Sequence, residues 1–243
     1  MENVFKEILW VEQTVTYTDP DGRERVFIAS GDEDSIEVFM PDTEKTDVLQ
    51  ATESIMSLKY RDVTLGVISE EGILFVPEDS KLLVREYHYK LSVKNEDIHV
   101  ILDWNTVDGI SRVQGDMLLS VHRALPEELT SDQKRVIKDR LAISVTMTVG
   151  GELISQLGGH ADIFVKTNDE NIKVYYVEEN GRTTLMDSSY LEGNTHTNVN
   201  HFSVYMYTDD EITDEFPLIW IALISIAVIS ILLVLFLIRR KRD

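Results

Sequence analysis

No cysteine occurs among the 243 residues. That excludes disulfides, thiolate nucleophiles and cysteine-ligated zinc or iron–sulfur centres, so the fold must be held by its core alone. Basic residues are scarce: 23 Lys and Arg stand against 43 Asp and Glu, a formal net charge of -20. Four of those basic residues and one of the acids occupy the last five positions, so residues 1–238 carry 19 basic against 42 acidic side chains. Such a surface repels nucleic acid and anionic lipid headgroups, and it favours cations, basic partners or high salt. Glycine-rich phosphate loops are missing, as are Gly-x-Gly-x-x-Gly and the Gly-x-Ser-x-Gly elbow. Of the six histidines, none forms the i, i+4 pair with a glutamate that a zincin helix needs. The run "TDPDGRERV" lacks the third ligand position and the distal glutamate of a calcium loop. The pattern implies no metal site, no cofactor and no enzymatic activity.

One long uncharged run stands out against this background. Residues 218–238, "LIWIALISIAVISILLVLFLI", hold 21 residues without a charge. At ~1.5 Å per residue the run spans roughly 31 Å as a helix, the thickness of a hydrocarbon core. Pro217 precedes Leu218, where a helix tolerates proline, and Trp220 sits where an interfacial aromatic anchors. Beyond Ile238 come Arg239, Arg240, Lys241 and Arg242, whereas "DDEITDEF" lies before the run. Basic flanks stay in the cytoplasm, so the tail is expected inside and residues 1–216 outside. The first residues, "MENVFKEILWVEQTV", have no basic n-region and no long apolar stretch. Either an export signal lies upstream or the chain is tail-anchored with a cytosolic body; the basic tail argues for the first.

The body reads as sheet. Short β-branched and aromatic runs recur between turn signals, among them "RERVFIAS", "DSIEVFM", "DVTLGVIS", "GILFVP", "KLLVREYHYKLSV", "DIHVILDW", "DMLLSVHRA", "LAISVTMTV" and "ADIFVKT". Asp19-Pro20-Asp21-Gly22 and Asn180-Gly181 are turns by composition. One segment, "PEELTSDQKRVIKDR" at 126–140, reads as a surface helix capped by Thr130 or Ser131, and residues 105–116 hold a further helical turn. The expected fold is mainly β: one or two antiparallel β-sandwich modules with one short surface helix, plus a single C-terminal transmembrane α-helix. The expected domains are 1–95, an N-terminal β module; 96–210, a second β-domain; 211–217, an acidic juxtamembrane linker; 218–238, the membrane helix; and 239–243, a basic tail.

Residues 98–208 carry a family likeness. "IHVILDWNTVDGI" leads to "DMLLSVHRA", the helix "LTSDQKRVIKDR" and "AISVTMTVGG"; then come "ISQLGGHADIFV", "IKVYYVEENGRTTLMDSSY" and "NVNHFSVYMYT". The Val-Tyr-Tyr strand with its Asn-Gly turn and the closing His-Phe-Ser-x-Tyr are the most specific parts. In these the chain resembles a β-domain found near the end of many prokaryotic cell-surface and cell-wall proteins. The resemblance implies an extracellular sandwich used as a module, with no reaction attached to it. Where that family commonly carries proline-tyrosine after the "ADIFV" strand, this chain has "KTNDENI".

His201-Phe202-Ser203 poses a separate question, because self-cleaving proteins cut at such a tripeptide. Ser203 would attack the carbonyl of Phe202 with His201 as base, and i, i+2 residues share one face of a strand. The plainer reading is a half-buried strand, with Phe202, Val204 and Met206 inward and His201, Ser203, Tyr205 and Tyr207 outward. The functional expectation is a single-pass protein of the cell membrane with an extracellular body. Its role is structural or binding, and its partners are the lipid bilayer and a protein at the cell surface. The alternatives are an ectodomain that cleaves itself at Phe202–Ser203 and an accessory subunit of a membrane complex.

Overall fold

A computed structural model describes residues 13–18, 22, 24–31, 34–56 and 60–212. The chain is a mixed α/β protein with two β-sheets and, among the described residues, four helices. The elements described below all belong to one unit, Met1–Asp210.

The first sheet begins with a hairpin of β1 (Gln13–Thr18) and β2 (Glu24–Gly31), as the turn at Asp19–Gly22 predicts. Next to β2 lies β3 (Ser35–Met40), also antiparallel. The following pairs are parallel: β3 with β4 (Asp62–Ile68), and β4 with β6 (Lys90–Lys94). Parallel neighbours need a crossover. Helix α1 (Lys45–Met56) supplies the first. The second runs through β5 (Ile73–Val76), which joins the other sheet, and helix α2 (Glu78–Glu86). From β6 onward the sheet is antiparallel again, through β7 (Ile98–Leu102), β11 (Gln156–Lys166), β15 (Asn194–His201) and the edge strand β14 (Ser188–Leu191). The 95/96 division falls in the turn between β6 and β7, which pair within this sheet.

The second sheet is antiparallel throughout, in the order β13 (Thr183–Met186), β12 (Lys173–Val177), β16 (Val204–Thr208), β9 (Leu141–Val149), β8 (Met117–Arg123) and β5. The two-residue β10 (Glu152–Leu153) folds back on β9. One contiguous core takes Leu65, Leu91, Val100 and Ile163 from the first sheet, Leu74, Leu119, Ile143 and Tyr205 from the second, and Val48, Val84 and Val107 from the helices.

The expected all-antiparallel, one-helix body therefore needs correcting in two places. Residues 81–86, part of an apolar run that reads as strand, are helical in α2, where Ser80, Lys81 and Val84 face inward at helical spacing. Residues 45–56 form α1, and Val48, Ala51 and Ile55 bury one side of it. The other two helices fall where the sequence places them. Helix α3 (Trp104–Ser111) is capped by Asp103, whose carboxylate accepts from Thr106 N. Helix α4 (Ser131–Ile137) follows a 3-10 turn at Pro126–Glu128 and is capped by Thr130, with Gln133 completing a reciprocal capping box. Among the described residues no helix is long and apolar enough to cross a membrane. The run 218–238 with Pro217, Leu218, Trp220 and Ile238, and the tail Arg239, Arg240, Lys241 and Arg242, lies outside the described residues.

Candidate functional site

Strand alternation leaves the nine-stranded sheet with a core face and an outer face. The outer face holds the densest arrangement of polar and aromatic side chains. Lys94, His99, Phe164, His196 and Ser189 are successive register partners across β6, β7, β11, β15 and β14, so they form one straight row. Phe164 lies at its centre. Its ring is 5.9 Å from the His99 imidazole and 4.6 Å from that of His196, on which it stacks.

Each imidazole is held by a carboxylate, His196 by one on the adjacent strand β11 and His99 by one reaching across from β3, three strands away. His99 Nε2 donates to Glu37 Oε1 at 2.9 Å, and Ser92 Oγ donates to the same oxygen at 2.6 Å. His196 Nε2 donates to Asp162 Oδ1 at 2.9 Å, and Asn198 Nδ2 donates to that oxygen at 2.9 Å. A neutral imidazole that donates through Nε2 accepts through Nδ1, and the Ser189 hydroxyl lies 3.4 Å from Nδ1 of His196. Two near-identical constellations thus flank one phenyl ring. Lys94 Nζ sits 5.5 Å from the ring centroid of Phe39 and closes the row on one side. Gly66 makes this packing feasible: a Cβ there would stand 2.0 Å from Ser92 Oγ and 3.1 Å from Phe39.

A second junction lies where α3 meets β11. Asp103 Oδ1 accepts from Thr106 N at 2.8 Å and from His160 N at 3.0 Å. Burial pushes the Asp103 carboxyl up, but those bonds outweigh it and hold its pKa below the usual value. A Cβ on Gly159 would stand 2.3 Å from Asp103 Oδ1, so the Gly158-Gly159 pair serves this close approach.

The His201–Ser203 corner is different from its sequence reading. His201 ends β15 in one sheet and Val204 begins β16 in the other, so the three residues cross between sheets and share no strand. Phe202 N donates to Ser155 O at 2.9 Å and Val145 N donates to Ser203 O at 3.0 Å. No hydrogen bond among the described residues joins Ser203 to His201. The imidazole packs edge-on against Tyr176 at 4.5 Å, its Nδ1 lies 3.1 Å from Asn200 Oδ1, and its buried Nε2 has no hydrogen-bond partner among the described residues. Burial lowers the pKa of His201. Phe202 is buried as the alternation predicts, but the parity expected for β16 is reversed: Tyr205 and Tyr207 face the main core, Met206 is buried on the opposite face, and Val204 is only half-buried. The reason for burial on both faces is that β16 is an interior strand with cover on both sides: Tyr205 joins the main core, while Met206 has Tyr175 and Ala142 as register partners. The Tyr205 hydroxyl donates to the carbonyl of His201, tying the corner down.

Strand parity places His196 and His201 on opposite faces of β15, and so they lie. The carboxylate partners Glu37 and Asp162 come from other strands and carry no local signal. Alternation in "DIHVILDW" and "ADIFVKT" does predict that His99, Asp162 and Phe164 share parity with solvent-facing positions. Among the described residues no group of three or more His, Asp or Glu stands together to hold a metal ion. Comparison of the chain with protein-family models and with curated proteins finds no match in either.

Proposed function

We propose that this protein is a single-pass, membrane-anchored surface protein of a prokaryote. Its β-rich, acidic body is displayed outside the cell in a structural or binding role. The observation that carries the reading is the uncharged run 218–238 between an acidic flank and the basic Arg239–Arg242 tail. The two sheets stacked on one core are compatible with the sandwich architecture that the family resemblance implies, with the parallel β3-β4-β6 segment as an addition.

Within that body the outer face of the nine-stranded sheet is the binding surface. The single observation favouring it is the Phe164 row, in which neighbouring carboxylates hold both imidazoles in fixed orientations. Orientation set before binding lowers the entropy that a ligand must overcome. Glu37 and Asp162 each have a second carboxylate oxygen with no hydrogen bond among the described residues, so the face suits ligands rich in hydroxyl or amine donors.

Membrane fractionation tests the anchor. Membranes washed at alkaline pH should retain the chain as a single 27.8 kDa band after boiling. Release of the chain into the wash would remove the anchor. A membrane fragment beginning at Ser203 would establish self-cleavage instead, and Ser203→Ala would then abolish it. Stoichiometric co-purification of an integral membrane protein from detergent would favour the accessory-subunit reading.

A further inference from the structure

One hydroxyl on the outer face of the nine-stranded sheet is placed for more than binding. Ser189 Oγ lies 3.4 Å from His196 Nδ1, and His196 Nε2 donates to Asp162 Oδ1 at 2.9 Å. The three residues come from β14, β15 and β11, which are adjacent strands. Their contacts run serine, imidazole, carboxylate: a nucleophile, its base and the group that orients the base. With the proton on Nε2 held by Asp162, the Nδ1 lone pair is the one that meets the hydroxyl. The ring plane is held as well, by its stack on Phe164 at 4.6 Å, and Asn198 Nδ2 donates to Asp162 Oδ1 at 2.9 Å. A serine–imidazole contact of this length is common before substrate tightens it.

The constellation around His99 differs at this point. There the serine, Ser92, is buried and donates to Glu37 instead of meeting the imidazole. Ser189 is exposed, on an edge strand. An edge leaves alternate backbone N–H groups unpaired, and such groups serve as donors to an oxyanion. Leu191, the next residue on the same face of β14, is 57% exposed and offers an acyl group an apolar surface. We propose that this is an esterase site, with Ser189 as nucleophile, His196 as general base and Asp162 as the residue that positions it. Ser189 Oγ attacks the acyl carbon as its proton passes to His196 Nδ1. The ester carbon–oxygen bond then breaks, and the alcohol leaves with that proton. Water, deprotonated by the same nitrogen, opens the acyl-serine to a carboxylic acid and restores the hydroxyl. The alcohol half is rich in hydroxyls, for which the open carboxylate oxygens of the Phe164 row are acceptors. The site rests on this face being the binding surface and not on the membrane anchor.

Labelling of the full-length protein in detergent tests this. An alkyl fluorophosphonate should lose its fluoride to Ser189 Oγ. Peptide mass spectrometry should then find the phosphonyl group on Ser189 and on neither Ser188 nor Ser92. His196→Gln should slow the labelling at least about a hundredfold, the contribution typical of a general base. Asp162→Asn should slow it as well, and Asp162→Glu should recover part of the loss. Because the chain has no cysteine, Ser189→Cys places a single thiol beside the imidazole. Iodoacetamide should alkylate it at least about tenfold faster than the thiol of Ser188→Cys, since a base that takes the proton raises the thiolate fraction. Adding His196→Gln should remove that difference. No adduct on Ser189, an adduct that forms as fast in His196→Gln, or equal alkylation of the two thiols would overturn the esterase site and leave the binding face standing.

Discussion

The outer face of the nine-stranded sheet closes over its own middle strands around Ser92 and Phe39, although Val26, Ile68 and Leu191 stay exposed towards its edges, whereas the outer face of the seven-stranded sheet is buried only beneath α4. On the first, Ser92 and Phe39 are buried although they point away from the core, because Glu37, Lys94 and His99 close over them. On the second, comparable burial is reached only on the side of α4, and the remaining Phe75 and Leu118 stand open. Long, paired side chains can finish a sheet face; short apolar ones need a partner layer. A finished polar face suits a ligand.

The sharpest way to break this contrast lies within the second sheet. Met206→Ala, on the covered side, should cost ~2–5 kcal/mol in equilibrium denaturation. Leu118→Ala, on the bare side of the same face, should change stability by less than about 0.5 kcal/mol. Equal losses would mean that the bare side is covered in solution. A smaller effect is expected on the first sheet. Gly66→Ala forces a Cβ against Ser92 Oγ and should destabilise by roughly 1–3 kcal/mol. Smaller again, Glu37→Ala leaves the buried Ser92 hydroxyl without its acceptor and should cost about 1 kcal/mol.

Acidification should produce the smallest change. Burial lowers the folded pKa of His201, whose ring faces Tyr176, Tyr205 and Asn200. Above the ordinary histidine value of about 6.5 the ring is neutral in both states and pH has no effect through it. Below that value the unfolded chain takes up a proton that the folded chain resists, so stability falls until the folded pKa is reached. Asp103 acts at lower pH. Its folded pKa is depressed, so the stability it contributes is present above about 3.9 and is lost as pH falls through the folded value. His201→Phe should flatten the first decline in a series of thermal unfolding curves, and Asp103→Asn should flatten the second.

Local signals were enough to read most of the strands and the two capped helices. The β1–β2 hairpin, the Asn180-Gly181 turn and the Thr130 cap all rest on contacts between near neighbours in sequence. Gly181 N donates to Glu178 O at 2.9 Å, and Arg182 N to Asn180 Oδ1 at 2.8 Å. What the sequence hid was decided at long range. The "KLLVRE" run has strand-like apolarity, yet it is helical, with Lys81 buried and its ammonium on Val113 O and Gly115 O, at 2.6 and 2.7 Å. A buried lysine held by two loop carbonyls leaves no period for a reader to find. The parallel β3-β4-β6 register was hidden because it depends on which crossover the helices take. The polar row around Phe164 was half legible: alternation gave the outward parity of His99 and Asp162, but their partners lie on strands distant in sequence. Thr183–Leu191 escaped notice as strand because both of its strands are edges, where one side of the backbone ladder faces outward and the usual apolar alternation is weak.

The display of the body outside the cell is the claim on which the rest depends, and labelling intact cells with a membrane-impermeant amine reagent addresses it directly. Peptide mass spectrometry should find the exposed Lys134 and Lys166 modified before lysis and Lys241 modified only after it. Lys134 and Lys166 unmodified until lysis, with the protein present in the same cells, would contradict the account.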